Sequence, residues 1–159
     1  MCQSSHGAAA RYDASVLRLS NRGRYALRAA FDLATHGDTP AQVRDIAARQ
    51  RIPVRFLEQI FQLLKRAGLV ESKRGPRGGF VLTRDPEEVR LGDVLRAVEG
   101  PVVLTDPRRS RGAPRDVTEA VLADLSRSVE RCFDGVTLQD LRTRGERAAA
   151  ARRPASYVI

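Results

Sequence analysis

The stretch from Val43 to Leu82 constrains the fold most, because its apolar residues switch from helical spacing to a strand-like run around a glycine-rich break. Val43, Ile46 and Ala47 share one side of a short helix. After the brief Arg51-Ile52-Pro53 turn, Leu57, Ile60, Phe61 and Leu64 recur at three- and four-residue steps, which predicts a second amphipathic helix. Pro53 suits a helix's first turn, where a missing N–H costs nothing. Leu69-Val70 and Phe80-Val81-Leu82 then read as two strands joined by Lys73-Arg74-Gly75-Pro76-Arg77-Gly78-Gly79. Two helices linked by so short a turn and followed by a hairpin predict a winged helix-turn-helix, in a chain that is mostly α with a small β-hairpin wing.

The polar side of the second helix decides what such a unit could do. Stepping about 100° per residue brings Arg55, Glu58, Gln59, Gln62 and Arg66 together opposite the apolar stripe. These side chains carry donors and acceptors that match base edges in the major groove, although a solvated helix face has a similar composition. Arg74 and Arg77 would sit at the wing tip, where glycines let the backbone approach a duplex closely. A phosphate-binding P-loop is a poor rival, because no Gly-Lys-Ser/Thr ending opens a helix here.

Charge supports the nucleic-acid reading. The 159 residues carry a formal charge of +9 with a pI near 10.8, which points to a polyanionic partner. Trp is absent and aromatics are few, so a duplex fits better than stacked single-stranded bases. No apolar run approaches the roughly 18 residues of a membrane span, and the N-terminus has no apolar signal core, so the expected location is cytoplasmic. The two cysteines, Cys2 and Cys132, lie too far apart in sequence for a secreted-type disulfide framework, and His6 four residues from Cys2 makes too small a donor set for a structural metal. No triad, metal-ligand set or cofactor fingerprint suggests an enzyme.

Four segments carry a family resemblance. Leu19-Ser20-Asn21-Arg22-Gly23-Arg24-Tyr25-Ala26, Phe56-Leu57-Glu58-Gln59-Ile60-Phe61, Arg74-Gly75-Pro76-Arg77-Gly78-Gly79-Phe80 and Gly92-Asp93-Val94-Leu95-Arg96-Ala97-Val98-Glu99-Gly100 closely resemble the Rrf2 family of bacterial transcription regulators. The resemblance covers about residues 17–143. It implies a winged-helix homodimer that binds palindromic operator DNA, often as a repressor, and in many members a sensory iron–sulfur cluster. It also implies that Arg22 and Arg24, at the start of a first helix carrying Tyr25, Ala26, Ala29, Ala30, Leu33 and Ala34, lie near phosphate. The chain departs from the family between Leu104 and Asp116: cluster-bearing relatives place three cysteines in this loop, and here there are none. Asp116 would stand at the last cysteine's place and Glu119 at that of a histidine used as a ligand in some members. Such carboxylates do not replace three thiolates, so no cluster and no cofactor are expected.

The remaining expectations follow the chain. Residues 1–16 read as a disordered extension, and since family members begin near Leu17, whether those residues are translated is open. Residues 17–100 form the winged unit and 101–116 a basic loop with Arg108, Arg109, Arg111 and Arg115. From Val117, the residues Val117, Val121, Leu125, Val129, Cys132 and Val136 step by fours and threes and predict a long helix with an apolar seam, expected to pair with an identical helix. Packing on the chain's own winged unit is the alternative. Cys132 reads as a small buried hydrophobe; the sharper reading is a thiol switch, since Arg127 and Arg131 would favour a thiolate. Thr137–Leu141 reads as a short capped helix closing a dimerisation unit over 117–143, and residues 144–159 as a mobile basic tail.

Together these readings give a homodimeric, sequence-specific regulator. Arg55, Glu58, Gln59 and Gln62 would face bases and Arg74 and Arg77 the minor groove or backbone, with half-sites about one helical turn apart. The alternative is a winged-helix adaptor for a protein or RNA partner. The signal stays open between a small metabolite, an effector protein, Cys132 chemistry and none.

Overall fold

A computed structural model describes residues 18–105 and 116–152. The expectations for the N-terminal extension, the arginine loop and the final seven residues lie outside those described. Among the described residues the order is α1 (Asn21–His36), α2 (Val43–Gln50), α3 (Val54–Arg66), β1 (Val70–Lys73), β2 (Gly79–Leu82), α4 (Leu91–Glu99), α5 (Val117–Asp134) and α6 (Leu138–Arg152). The chain is thus mostly helical with a two-stranded antiparallel wing, as its periodicities predict. No described helix is long and apolar enough to cross a membrane.

One core holds the winged unit together. Ala26, Ala29, Ala30 and Leu33 of α1, Ile46 of α2, and Leu57, Ile60, Phe61 and Leu64 of α3 are all buried in it. Small residues on α1 let the other helices approach its axis closely. Val89 and Leu138 complete the same core, each 0% exposed.

The turn between α2 and α3 is set by Arg51, whose left-handed backbone (φ 51°, ψ 51°) ends α2 while its N–H bonds back to Ala47 and Ala48 carbonyls. Pro53 is the N-cap of α3 rather than its first helical residue, which is Val54. Ile52 is buried ahead of this cap together with Leu57, so the entry angle of α3 is fixed by packing.

The wing pairs Val70 with Leu82 through Lys73 with Gly79. Ala41 adds a bridge to Phe80, with N–H to carbonyl distances of 3.0 and 2.8 Å. That bridge explains Gly79, since a Cβ there would lie 2.5 Å from the Ala41 backbone. A Cβ on Gly78 would meet the Lys73 carbonyl oxygen at 2.5 Å, so the hairpin closes only with glycine at both places.

Three expectations change. The closing helix is long: α6 runs to Arg152, so the reading of residues 144–152 as a mobile tail is wrong. Thr137 and Asp140 start it reciprocally, the Asp140 carboxylate accepting from the Thr137 N–H at 2.9 Å and the Thr137 hydroxyl from the Asp140 N–H at 3.1 Å. These bonds hold the Asp140 carboxyl below its ordinary range. Ala148–Ala151, the best helix formers, and an Arg142–Glu146 pair carry it onward. The helix also does not close a separate unit, because Leu138 and Leu141 pack with the winged core and Gly145 lies beside Phe31 of α1.

Second, the apolar seam is not one face. Val136 lies beyond α5, with its carbonyl accepting from the Leu91 N–H at 2.9 Å. Successive four-residue steps drift about 40° each around a helix, so Val117, Val121, Leu125 and Val129 spiral. The first three are exposed, by 79%, 50% and 48%, while Val129 is half-buried at the edge of the side facing the chain's own 101–105 segment. That side carries Ser126, whose hydroxyl accepts from the Leu104 N–H at 3.0 Å, and Glu130, which accepts from the Val102 N–H at 3.1 Å.

Third, Cys132 is exposed within the single chain, so its own fold does not bury it.

Candidate nucleic-acid interface

Burial of Leu57, Ile60, Phe61 and Leu64 turns the opposite side of α3 outward, and Arg55, Glu58, Gln59, Gln62 and Arg66 are all exposed there. The sequence places these residues together and the structure keeps them together. Arg22, at the start of α1, lines one open depression with Phe56, Gln59, Gln62, Leu63 and Arg66, so it joins this surface. Its guanidinium lies 3.4 Å from the carbonyl oxygen of Val98 near the end of α4. Arg24 is exposed on the same first turn.

The wing stands beside α3 and is tied to it, the Lys65 ammonium donating to the Ser72 hydroxyl at 3.0 Å. Arg74 and Arg77 are exposed at its tip, around Gly75 with φ 124°. Glu71 pairs with Lys73 at 2.5 Å and neutralises part of the strand, leaving the tip arginines as the wing's outward charge. A helix face rich in amide and guanidinium groups, flanked by cations from α1 and the wing, is complementary to a groove and its bordering phosphates.

Three polar contacts that fix this surface were not singled out from sequence. Ser20 is the N-cap of α1, its hydroxyl accepting from the Gly23 N–H at 3.2 Å, and Glu99, at the end of α4, reinforces it from across the fold, accepting from the same N–H at 2.8 Å and from the Ser20 hydroxyl. No local signal announces a partner so distant in sequence. Asp32 is 3% exposed on α1 and accepts two bonds from Arg49, at 2.6 and 3.0 Å, and one from Gln50 at 2.9 Å. His36, one turn on, approaches the same carboxylate at 3.4 Å and the Asp32 carbonyl oxygen at 2.7 Å. Burial pushes the Asp32 carboxyl up, but the bonds from Arg49 and Gln50 and the charges of Arg49 and His36 outweigh it and hold its pKa below the usual range. An aspartate inside the Ala29-Ala30-Leu33-Ala34 stripe was a readable sign of such a buried pair. Finally, Arg96 of α4 binds Asp134 at 2.8 Å and Asp93 at 3.0 Å, locking the end of α5 to the winged unit.

The cluster loop's geometry is only partly within the described residues. Asp116 is the N-cap of α5, its carboxylate accepting from the Glu119 N–H at 2.8 Å. Cys132 lies about 24 Å further along the same helix at 1.5 Å per residue. Among the described residues no three His, Cys, Asp or Glu side chains gather as a metal site. With only two cysteines in the chain, its donor set does not match three loop thiolates.

A two-helix turn unit with an exposed polar second helix and a basic β-wing defines a winged-helix DNA-binding protein. The Rrf2 family model, described as an iron-dependent transcriptional regulator, matches residues 19–144, and the chain belongs to this family. The HTH-type transcriptional regulator IscR of Aliivibrio salmonicida is 38% identical over 129 residues, covering 79% of this chain and 77% of its own. Among solved structures, T. potens IscR superposes with a TM-score of 0.72 at 34% identity, covering 89% of this chain and 95% of that one. CymR, the global cysteine regulator of B. subtilis, gives a TM-score of 0.69 at 30% identity over 80% of this chain and 98% of its own. The protein is accordingly a DNA-binding transcription regulator, in a family of regulators rather than enzymes.

Proposed function

We propose that the protein is a cytoplasmic homodimer, joined along the outward side of α5, that binds a palindromic operator and represses by occluding a promoter. The observation that carries the dimer is the row Val117, Val121 and Leu125, exposed by 79%, 50% and 48% on one side of a well-formed helix. Each such side chain gains about 1.5–3 kcal/mol when fully buried, and a second copy of the same helix is the simplest cover. Arg55, Glu58, Gln59 and Gln62 read bases in the major groove. Arg22 and Arg24 hold phosphates beside α1, and Arg74 and Arg77 the flanking minor groove or backbone. Cys132 remains outside the DNA surface, and no iron–sulfur cluster is bound.

Selection of genomic fragments on the purified protein, followed by footprinting at near-physiological salt, tests this. Protected half-sites related by two-fold symmetry and spaced about one helical turn apart are expected. Retention of RNA or protein with no sequence-specific duplex would instead favour the adaptor reading. Gln59→Ala should cost about 1–3 kcal/mol and relax preference at one position, whereas Arg77→Ala should weaken all sequences alike. Protein purified without oxygen should be colourless, and a brown preparation with visible absorption would overturn the cluster-free assignment.

A further inference from the structure

Arg66, in the last turn of α3, is exposed and makes no hydrogen bond or ion pair among the described residues. At about 100° per residue it points to the side opposite buried Leu57, within about 20° of both Arg55 and Gln59. Its neighbour Lys65 turns aside and donates to Ser72 of the wing. Lys65 thus already supplies a cation that favours the C-terminal end of a helix.

Arg66 and Arg22 line one open depression from different helices. Gln59 and Gln62 line it with them, and no carboxylate among the described residues does. Arg22 donates to the Val98 carbonyl with one of its five N–H groups, which leaves the rest of the guanidinium open. Two guanidiniums and two amides with no carboxylate between them suit an oxyanion. The position decides which one. Arg66 lies about 10 Å beyond Gln59 along the helix at 1.5 Å per residue, and a major groove is about 12 Å wide. A recognition helix meets base edges with its N-terminal residues, so its last turn stands over the strand that borders the groove.

We infer that Arg66 is a phosphate-binding residue that, together with Arg22, clasps one DNA phosphate in each half-site at the end of α3 farthest from the helix-turn-helix turn. Because the two cations come from different helices, the shared phosphate fixes the tilt at which α3 enters the groove. The contact carries no base identity of its own and sets the register in which the outward residues of α3 meet the bases. The inference rests on the operator reading above and adds a backbone contact to it.

The test starts from the duplex that the full-length protein enriches from a random library. Its phosphates are replaced one at a time by uncharged methylphosphonate, and affinity is measured for the wild type, Arg66→Gln and Arg22→Gln. At one phosphate per half-site the replacement should weaken wild-type binding about tenfold, the loss of a hydrogen bond to a charged group. In each variant the penalty at that same phosphate should fall to about threefold, since half of the contact is already gone, while penalties at other phosphates are kept. Because each protein serves as its own reference, a general loss of affinity in a variant does not mask the result. A cation that served only the end of α3 would single out no phosphate. A wild-type scan without such a phosphate, an Arg66→Gln profile identical to the wild type, or one altered at a different phosphate from Arg22→Gln overturns the clasp while leaving the operator reading intact. Failure to enrich any duplex overturns both.

Discussion

Two helices of similar amphipathic sequence end in opposite situations. In α3, thirteen residues bury Leu57, Ile60, Phe61 and Leu64 and show water mainly their polar side. In α5, eighteen residues bury a single side chain, Ser126, while Val117, Val121 and Leu125 stay exposed. The difference lies in what surrounds each helix. Helix α3 is enclosed by α1, α2 and the wing, whereas α5 is held by α4 at its C-terminal end and by residues 101–105 along one side. Apolar periodicity therefore tells that a helix needs a partner, and not whether the partner lies in the same chain.

The sharpest break of this comparison is Phe61→Ala. Phe61 is 1% exposed and stacks against Phe80 of the wing at 4.5 Å between ring centroids. The truncation should cost about 3–5 kcal/mol in urea unfolding and loosen the wing from α3. A loss below about 1 kcal/mol would mean the winged core is not the enclosed region described.

Next comes the polar anchor of the same core. Asp32→Asn should lower stability at neutral pH by about 2–3 kcal/mol, since Arg49 and Gln50 lose a charged acceptor. The folded pKa of Asp32 is depressed, so its contribution is fully present above the unfolded value of about 3.9 and disappears as pH falls through the lower folded value. Unfolding curves of wild type and variant should therefore converge only on acidification below about pH 4. A constant gap at all pH values would point to packing rather than charge.

A smaller effect is expected from Glu99→Ala. Loss of the carboxylate leaves the Gly23 N–H with the Ser20 hydroxyl as its remaining cap and should cost at most about 1 kcal/mol. Because Arg22 and Arg24 follow that cap, DNA affinity should fall with stability; unchanged values for both would separate α4 from the interface.

How far these features are legible in the sequence varies with distance along the chain. The helix-turn-helix, the wing and α4 rest on local spacing and on glycines whose positions the backbone demands, and each was readable. The length of α6 was not, because it has no strong apolar stripe and rests on helix propensity and the Thr137–Asp140 cap. The placement of Val136 was missed because Asp134-Gly135 ends α5 just before it. Glu99 and the Arg96–Asp134 pair join residues 76 and 38 positions apart, which no periodicity encodes. The outward polar residues of α3 were legible as a set, because the apolar stripe that buries the other side fixes where they point.

The most direct test of the paired reading is sedimentation of wild type and Leu125→Asp, each alone and with the enriched duplex. Two 17.5 kDa chains per particle, free and bound, are expected for the wild type. The variant should sediment as a single folded chain whose DNA affinity has collapsed, because one recognition helix remains per particle. A wild type that runs as one chain and stays so on its best duplex, or a variant that remains paired with full affinity, would contradict it.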